Sequence, residues 1–477
     1  MREPKLTEML KGVTPFEFKR FGEFLSSGFH NKSRKVLQLY ELIDRNFEEF
    51  DANSITKEEI AKEIFSDEKD KEQNVRTLIS NFTNLLEEFL VLQEISKNEI
   101  PRKIYLLKSL HDRNIIKAFD MTSKEISDIN KKDFNKNTDF YYNDLTYKEI
   151  VLNYHGEDLD LDLDKSYFEM SENTDYLFIV TKLKVVNTVL SRKILSGGNI
   201  YKNFWGIEYI LDYIEKNIDK IEKSHPIIYS EYKILMMVLK PDSVKHFHDL
   251  EKHVLANISK HNEDELEQVY YSLSNYCINK IATGEEKFIS YLYKIHRNLE
   301  KTGFYEKNKN LQYTDFMSVI ICGLNIKEIK WVNYFFEKYK ANIAHEVKRD
   351  TINLASALIS FSLKKYKDCI EQLNKIGYKY TYFYLKSKET LIKVYYEQGE
   401  VESLESAIDA AKHYLKRHKD LLSIHYDRYI LFLNYITKLV KLDKKQKAEI
   451  KQLMKRLDEN RGTIAREWLI EKIIELK

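Results

Sequence analysis

The sequence predicts an all-α protein, with a small N-terminal helical domain followed by a right-handed α-solenoid. Three observations carry that expectation. Apolar residues recur at helical spacing through most of the chain. Only 13 Gly and 5 Pro punctuate 477 residues, too few for the turns of a doubly wound sheet or a β-sandwich. Three aromatics, Phe361, Tyr395 and Tyr429, fall 34 residues apart near the C-terminus, the kind of interval that a stack of helix pairs writes into a sequence.

Residues 1–100 read as four or five helices. Thr14-Pro15 starts the first clear one, Phe16 to Ser26, whose Phe18, Phe21, Phe24 and Leu25 make an apolar stripe. A second covers Arg34 to Phe47. Thr56 and Glu59 have the spacing of a capping box, in which each side chain answers the other's backbone N–H, so a helix is expected to start there. A long helix from Lys71 to Ile95 comes next, with Val75, Leu78, Ile79, Phe82, Leu85, Leu86, Phe89 and Leu92 on one face.

Residues 101–174 show one helical pattern, Lys103 to Phe119, and then polar sequence in which tyrosines lack a period. A linking helix and an acidic loop region are expected there. From Asp175 the helical patterns return as Tyr176–Leu195, Phe204–Ile221, Ile227–Leu239, Val244–Ile258, Leu266–Ile281 and Phe288–Leu299. Beyond Leu311 they pair more regularly: Tyr313–Leu324 with Ile329–Ala341, Ile352–Leu363 with Tyr366–Ile376, Tyr382–Tyr396 with Val401–Leu415, and Leu421–Val440 with Lys445–Asn460. A last helix, Thr463 to Leu476, carries Ile464, Trp468, Leu469, Ile473 and Ile474 at the spacing needed to cap the array. The solenoid is thus expected over 175–477.

Overall charge is nearly balanced, 77 Lys+Arg against 75 Asp+Glu, so no global field draws the chain to a polyanion. The distribution is uneven. Residues 120–175 hold 6 Lys/Arg and 15 Asp/Glu, whereas residues 412–456 hold 13 and 4. Cys277, Cys322 and Cys369 are far apart among apolar neighbours, a pattern of buried small hydrophobes rather than of disulfides or a thiolate metal site. With no apolar leader after Met1 and no membrane-length apolar run, a cytoplasmic setting without membrane contact is expected.

Two constellations suggest metal chemistry. Asp158, Asp160, Asp162, Asp164, Ser166 and Glu169 occupy the oxygen-ligand positions of a calcium loop, but Leu163 stands where the sharp turn needs glycine. His246, Asp249 and His253 share one helical face without an assignable fourth ligand. Neither set is complete, so no metal and no cofactor is expected. No nucleophile elbow, phosphate-binding glycine loop or H-E-x-x-H is present, and a non-enzymatic role is expected.

The segment from Leu391 through Tyr395, Gly399, Leu404, Ala407 and Ile408 to Ala411 resembles a tetratricopeptide repeat. Aromatic, turn glycine and small residues stand in that family's order, with Leu404 replacing its usual alanine. The likeness is clearest over 350–440, although Lys365 stands where the preceding unit would have its turn glycine. It implies α-hairpins stacked into a superhelix with a concave binding face. Ile55 to Ala61 and Asn74 to Leu90 resemble the two helices of a winged helix-turn-helix. Bacterial transcriptional activators join such a domain to tetratricopeptide-like repeats. That resemblance implies DNA contact through Arg76, Thr77 and Asn81, yet residues 1–100 hold 15 Lys/Arg against 20 Asp/Glu, a poor balance for phosphate contacts.

The leading expectation is therefore a non-enzymatic scaffold or adaptor that binds a protein or acidic peptide on the concave face of a helical-repeat array. Its candidate contact residues are Lys412, Lys416, Arg417 and Lys419, then Lys444, Lys445, Lys447 and Lys451, with Tyr429 among the interleaved tyrosines. Such a surface also suits single-stranded nucleic acid, while lysine-rich outer helix faces are common without any ligand. The alternative expectation is a DNA-binding transcriptional regulator whose repeats act as a sensor.

Overall fold

The computed structural model describes residues 4–45, 47, 56–66, 71–155, 163–192, 200–258, 260–377, 380–419 and 424–476. Among these residues the chain is all-α. Its helices are α1 Pro4–Gly12, α2 Pro15–Ser26, α3 Arg34–Asp44, α4 Lys57–Ile64, α5 Lys71–Lys97, α6 Glu99–Asp112, α7 Ile116–Lys132, α8 Thr138–His155 and α9 Leu163–Arg192. Next come α10 Ile207–Lys216, α11 Ile218–Ser224, α12 Pro226–Leu239, α13 Lys245–Asn257, α14 Glu263–Ala282, α15 Lys287–Lys301, α16 Phe304–Lys307, α17 Tyr313–Asn325 and α18 Ile329–Tyr339. The last are α19 His345–Ser362, α20 Tyr366–Leu373, α21 Thr381–Gln398, α22 Val401–Arg417, α23 Ile424–Leu439, α24 Lys447–Glu459 and α25 Arg466–Glu475. The only β-type pairing among the described residues is an isolated parallel bridge between Leu311 and Ile343. No helix described is long and apolar enough to cross a membrane.

Two compact units result. One comprises Met1–Lys132 with Tyr142–Ser171, the other Asp133–Tyr141 with Glu172–Lys477. In the first, α1 to α5 enclose a core of Leu6, Phe18, Phe21, Leu39, Ile60, Ile79, Phe82 and Leu86. The capping box expected at Thr56 forms, with Glu59 N donating to Thr56 Oγ1 at 3.1 Å and Thr56 N to Glu59 Oε2 at 2.7 Å, and the helix start at Thr14-Pro15 carries the same arrangement with Glu17 at 3.2 and 2.9 Å. After Gln93, α5 runs on to Lys97 and α6 comes directly after it, so the described residues contain no β-hairpin wing.

Residues 101–174 depart from the expectation of a single helix and an acidic loop. The pattern read as Lys103 to Phe119 is broken at Asn114, which adopts φ 54° between α6 and α7, and α7, α8 and the start of α9 occupy most of the remaining stretch. Tyr147, Ile150, Val151 and Tyr154 of α8 pack with Ile104, Leu107, Phe119 and Ile126.

In the second unit, helices alternate as hairpins. α17 pairs with α18, α19 with α20 and α21 with α22, while α17 also touches α19 and α19 touches α21. A single turn recurs between partners. At Gly284, Lys327, Lys364 and Gly399 the backbone enters the left-handed region (φ 91°, 64°, 57° and 71°), and the next residue's N–H reaches back to the carbonyl five positions earlier. Those bonds measure 2.9 Å for Glu285 to Lys280, Glu328 to Gly323, Lys365 to Ser360 and Glu400 to Tyr395. This is the Schellman closure, which satisfies the last helical carbonyls. The turn position after α19 is therefore Lys364, one residue before the Lys365 singled out by sequence. Phe361 and Tyr395 lie in the last turns of α19 and α21, but Tyr429 lies near the start of α23, so its 34-residue interval does not place it equivalently.

Candidate functional site

α21 puts Tyr382, Lys386, Glu389, Lys393 and Glu397 at intervals of three and four residues, which aligns them along one side of the helix. Glu389 is the centre. Its side chain is 1 % exposed, and it accepts from Lys386 Nζ at 2.9 Å and from Lys393 Nζ at 2.6 Å. Burial alone would raise its carboxyl, but the two ammonium groups outweigh that and hold it down at about 2. Lys393 is drawn below the ordinary lysine range by burial, with Glu389 opposing, and it remains the charged partner of a short ion pair.

Other helices complete the surroundings. Lys393 Nζ lies 5.9 Å from the Phe361 ring of α19 and 6.0 Å from the Trp468 ring of α25. Trp468 is itself fixed by donating Nε1 to Glu397 at 2.8 Å. From α23, Arg428 donates Nε to the Gly462 carbonyl at 2.7 Å, and among the described residues its two terminal nitrogens have no hydrogen-bond partner. Tyr429 stands beside it, and burial, with the Glu389 carboxylate adding to it, pushes both the Tyr429 and Tyr382 hydroxyls well above their ordinary range. Both tyrosines nevertheless keep a partly exposed surface, as do Lys386 (19 %) and Lys393 (14 %). Groups that are desolvated yet still reached by water are the walls of a recess. Lys386, Lys393 and Arg428 surround Glu389, and Glu397 brings a second carboxylate to the same side of α21. The neighbouring Lys472 meets Glu397 and Glu475 at 2.8 Å and Glu471 at 3.4 Å, three carboxylates to one ammonium, so the two adjoining groups together balance four cations with four carboxylates.

Of the contact residues expected from sequence, only Tyr429 belongs to this recess. Lys412 is half-buried on α22, and Lys416, Arg417 and Lys419 are at the end of that helix, with Lys419 over the Tyr426 ring at 5.3 Å. Lys444, Lys445, Lys447 and Lys451 lie beyond the other end of α23, whose 16 residues span about 24 Å. The two lysine clusters are thus separated by a helix length. Beside the second, a cleft of about 320 Å³ is lined by Lys438, Lys441, Gln446, Glu449, Gln452 and Arg456.

In the first unit Arg76 pairs with Glu72, and Thr77 donates its hydroxyl to the Gln73 carbonyl at 3.0 Å. Asn81 and Asn84 line an open cleft of about 440 Å³ with Asn31, Lys32 and Ser33. Asp158, Asp160 and Asp162 lie outside the described residues, while Asp164, Ser166 and Glu169 are helical in α9. Asp249 is engaged by Lys233 at 2.6 Å, and His253 is buried against the Tyr229 ring, so His246, Asp249 and His253 do not converge. Among the described residues no group of three or more His, Cys, Asp or Glu is arranged to hold a metal ion. Cys277, Cys322 and Cys369 are all buried free thiols, and burial raises each of them.

The recess residues Lys386, Glu389, Lys393 and Arg428 were not singled out from sequence. Their spacing, Lys386-x-x-Glu389-x-x-x-Lys393, is also that of ordinary solvated ion pairs, and only the burial contributed by Phe361, Trp468 and Tyr429 distinguishes it. No family model matches the chain, and no curated protein or solved structure matches it significantly. Function therefore rests on the chemistry of the site itself.

Proposed function

We propose that the chain is a non-enzymatic scaffold or adaptor that holds an acidic segment of a partner protein in the α21–α23 recess. The observation that carries this reading is the set of hydrogen-bond donors that the described residues leave open here, the terminal nitrogens of Arg428 and the hydroxyls of Tyr382 and Tyr429, which suit the oxygens of a carboxylate. The hairpin pairing and the recurrent Schellman turn support a tetratricopeptide-like solenoid as the frame. In such a frame the receptor loses little freedom on binding, so the ordering cost falls mainly on the peptide. Lys412, Lys416, Arg417, Lys419, Lys444, Lys445, Lys447 and Lys451 then steer an acidic partner toward the unit rather than seat it.

The test is titration of the full chain with fluorescent peptides rich in Asp and Glu. Arg428→Gln is expected to weaken binding tenfold or more. Reversing the charges at Lys416, Arg417, Lys444 and Lys445 is expected to slow association without changing which peptides bind. Acidic peptides that ignore the chain at low salt, or bind Arg428→Gln as well as the parent, would remove the reading.

A second reading, DNA binding by the first unit, is favoured by one observation: Asn81 shares its cleft with Asn84 and Lys32, amides and a cation of the kind that meet base edges and phosphates. A gel shift abolished by Arg76→Glu and steeply salt-dependent supports it; no shift with mixed genomic fragments at low salt sinks it.

A further inference from the structure

Within the second unit, Asn460 to Ala465, which link α24 to α25, run back against the turn between α14 and α15. Arg466 reaches Glu286 across a sequence gap of 180 residues, Nη1 donating to Oε1 at 2.7 Å, while Nη2 donates to Asp458 Oδ1 at 2.9 Å and Glu467 Oε1 lies 3.7 Å from Nη1. The backbones themselves meet. A methyl built on Gly284 would lie 2.5 Å from Arg461 Cβ and 2.8 Å from the Arg461 carbonyl oxygen, and one on Gly462 would lie 3.1 Å from the Ala282 carbonyl oxygen. Glycine at φ 91° therefore serves both the left-handed turn and the close approach. Ala465, by contrast, holds φ 53° while carrying a side chain, a strained backbone that persists only where its surroundings fix it.

The same linker is tied to the recess. Arg428 Nε donates to the Gly462 carbonyl at 2.7 Å, Asn460 Nδ2 donates to the Tyr435 hydroxyl of α23 at 3.2 Å, and Trp468, two residues beyond Arg466, donates to Glu397 at 2.8 Å with its ring against Tyr396. Contacts thus run from the recess through Arg428, Gly462 and Arg461 to Gly284, and from Glu397 through Trp468 and Arg466 to Glu286. Resting on the reading that this recess is the binding site, we propose that Arg461, Gly462 and Arg466 form a clasp on the α14–α15 turn whose closure sets the recess. Closed, it holds Arg428 and Trp468 in place; released, it lets both withdraw. Occupancy of the recess and closure of the clasp then favour each other, because a ligand that meets Arg428 in its held position binds the closed form better.

Hydrogen exchange of the full chain without ligand tests the clasp, read at Gly284–Glu286 and, as an internal control, at the Gly399–Glu400 turn, which has the same Schellman closure but nothing within 4 Å of a methyl built on its glycine. Arg466→Gln is expected to speed exchange at 284–286 severalfold and leave 399–400 unchanged. Arg428→Gln, made in the recess, is expected to do the same from the other end of the contact chain. Ala465→Gly, which relieves the strained backbone, should slow it. Gly284→Ala should lower the melting temperature further than Gly399→Ala, since both enter the left-handed region but only the first methyl meets another segment. Titration with the Asp- and Glu-rich peptides supplies the second arm: Arg466→Gln, which touches no recess donor, is expected to weaken binding severalfold. Exchange at 284–286 unmoved by both Arg466→Gln and Arg428→Gln, or equal losses from the two glycine variants, would overturn the clasp. Peptides that bind Arg466→Gln as tightly as the parent would overturn its coupling to the recess. Peptides that fail to bind the parent at all would remove the acidic-segment reading, and the exchange result would still decide the clasp.

Discussion

Glu389 and Lys393 form a pair whose members cannot be removed singly. Glu389→Gln leaves an ammonium among Phe361, Trp468 and Tyr429 without its countercharge, and a loss of about 3–5 kcal/mol is expected, read as a lowered urea midpoint. Replacing both, Glu389→Leu with Lys393→Met, is expected to recover most of that loss, because an apolar pair of similar size needs no compensation there. Lys386, with more of its side chain in solvent, is expected to cost only about 1 kcal/mol when truncated to Ala. A double substitution as damaging as the single one would show that the pair does more than balance charge. This is also why the site was hard to read from sequence. A Lys-Glu-Lys spacing on a helix is indistinguishable from surface decoration until α19, α23 and α25 bury it.

At the scale of the element, the helices and their ends were largely legible. Thr56 announced its capping box and Thr14-Pro15 a helix start, and the pairs from α17 to α24 fell within a few residues of their expected bounds, apart from α19, which starts earlier at His345. Truncating Thr56 to Ala should cost about 1 kcal/mol, measurable by thermal unfolding. Residues 101–174 were misread because α8 sends Tyr141 into one apolar cluster and Tyr147, Ile150 and Tyr154 into another, which erases the single stripe that periodicity detects. The inter-helix turns were hidden for a different reason. Asn114, Lys327 and Lys364 hold left-handed backbone without being glycine. An L-residue there costs about 1–2 kcal/mol, partly offset by the smaller entropy loss of a residue other than glycine, so Lys364→Gly is expected to stabilise by about 0.5–1 kcal/mol. Gly399→Ala, where no side chain crowds the added methyl, is expected to destabilise by about 1 kcal/mol through backbone strain alone. Opposite signs in paired denaturation curves would check both; equal signs would contradict the shared turn geometry.

Across the second unit as a whole, four buried histidines set the response to acid. Burial lowers His225, His253 and His261 to about 4 and His296 to about 3. Below the unfolded value of 6.5 the unfolded chain binds more protons than the folded one, so stability is fully present above that pH and declines as pH falls toward 4, by up to about 1.4 kcal/mol per unit for each histidine. Glu231 opposes this. Buried, with Asn187 and Gln268 donating to its oxygens, it is raised to about 7, and its contribution is present at acid pH and lost as pH rises from about 4.5 through 7. Glu467, Asp315 and Asp133 are raised as well, whereas Glu389, held down at about 2, acts with the histidines, and the histidine set is expected to dominate and leave the unit most stable near neutrality, with an acid limb in a series of melts from about pH 7 to 4. Such melts should be flattened by replacing His261, whose ring nitrogens are buried without partners, with an apolar residue of similar size.

Lys393 lies between Phe361 of α19 and Trp468 of α25, so the pocket borrows a wall from the helix that covers the end of the hairpin series. Closing that end and finishing the pocket are one and the same event. Proteolytic trimming of Arg466–Glu475 would therefore also strip apolar cover from α21 and α22, whose Leu385, Ile392, Leu404 and Leu415 share a core with Leu469 and Ile473, and is expected to loosen that end of the unit before α17 to α19.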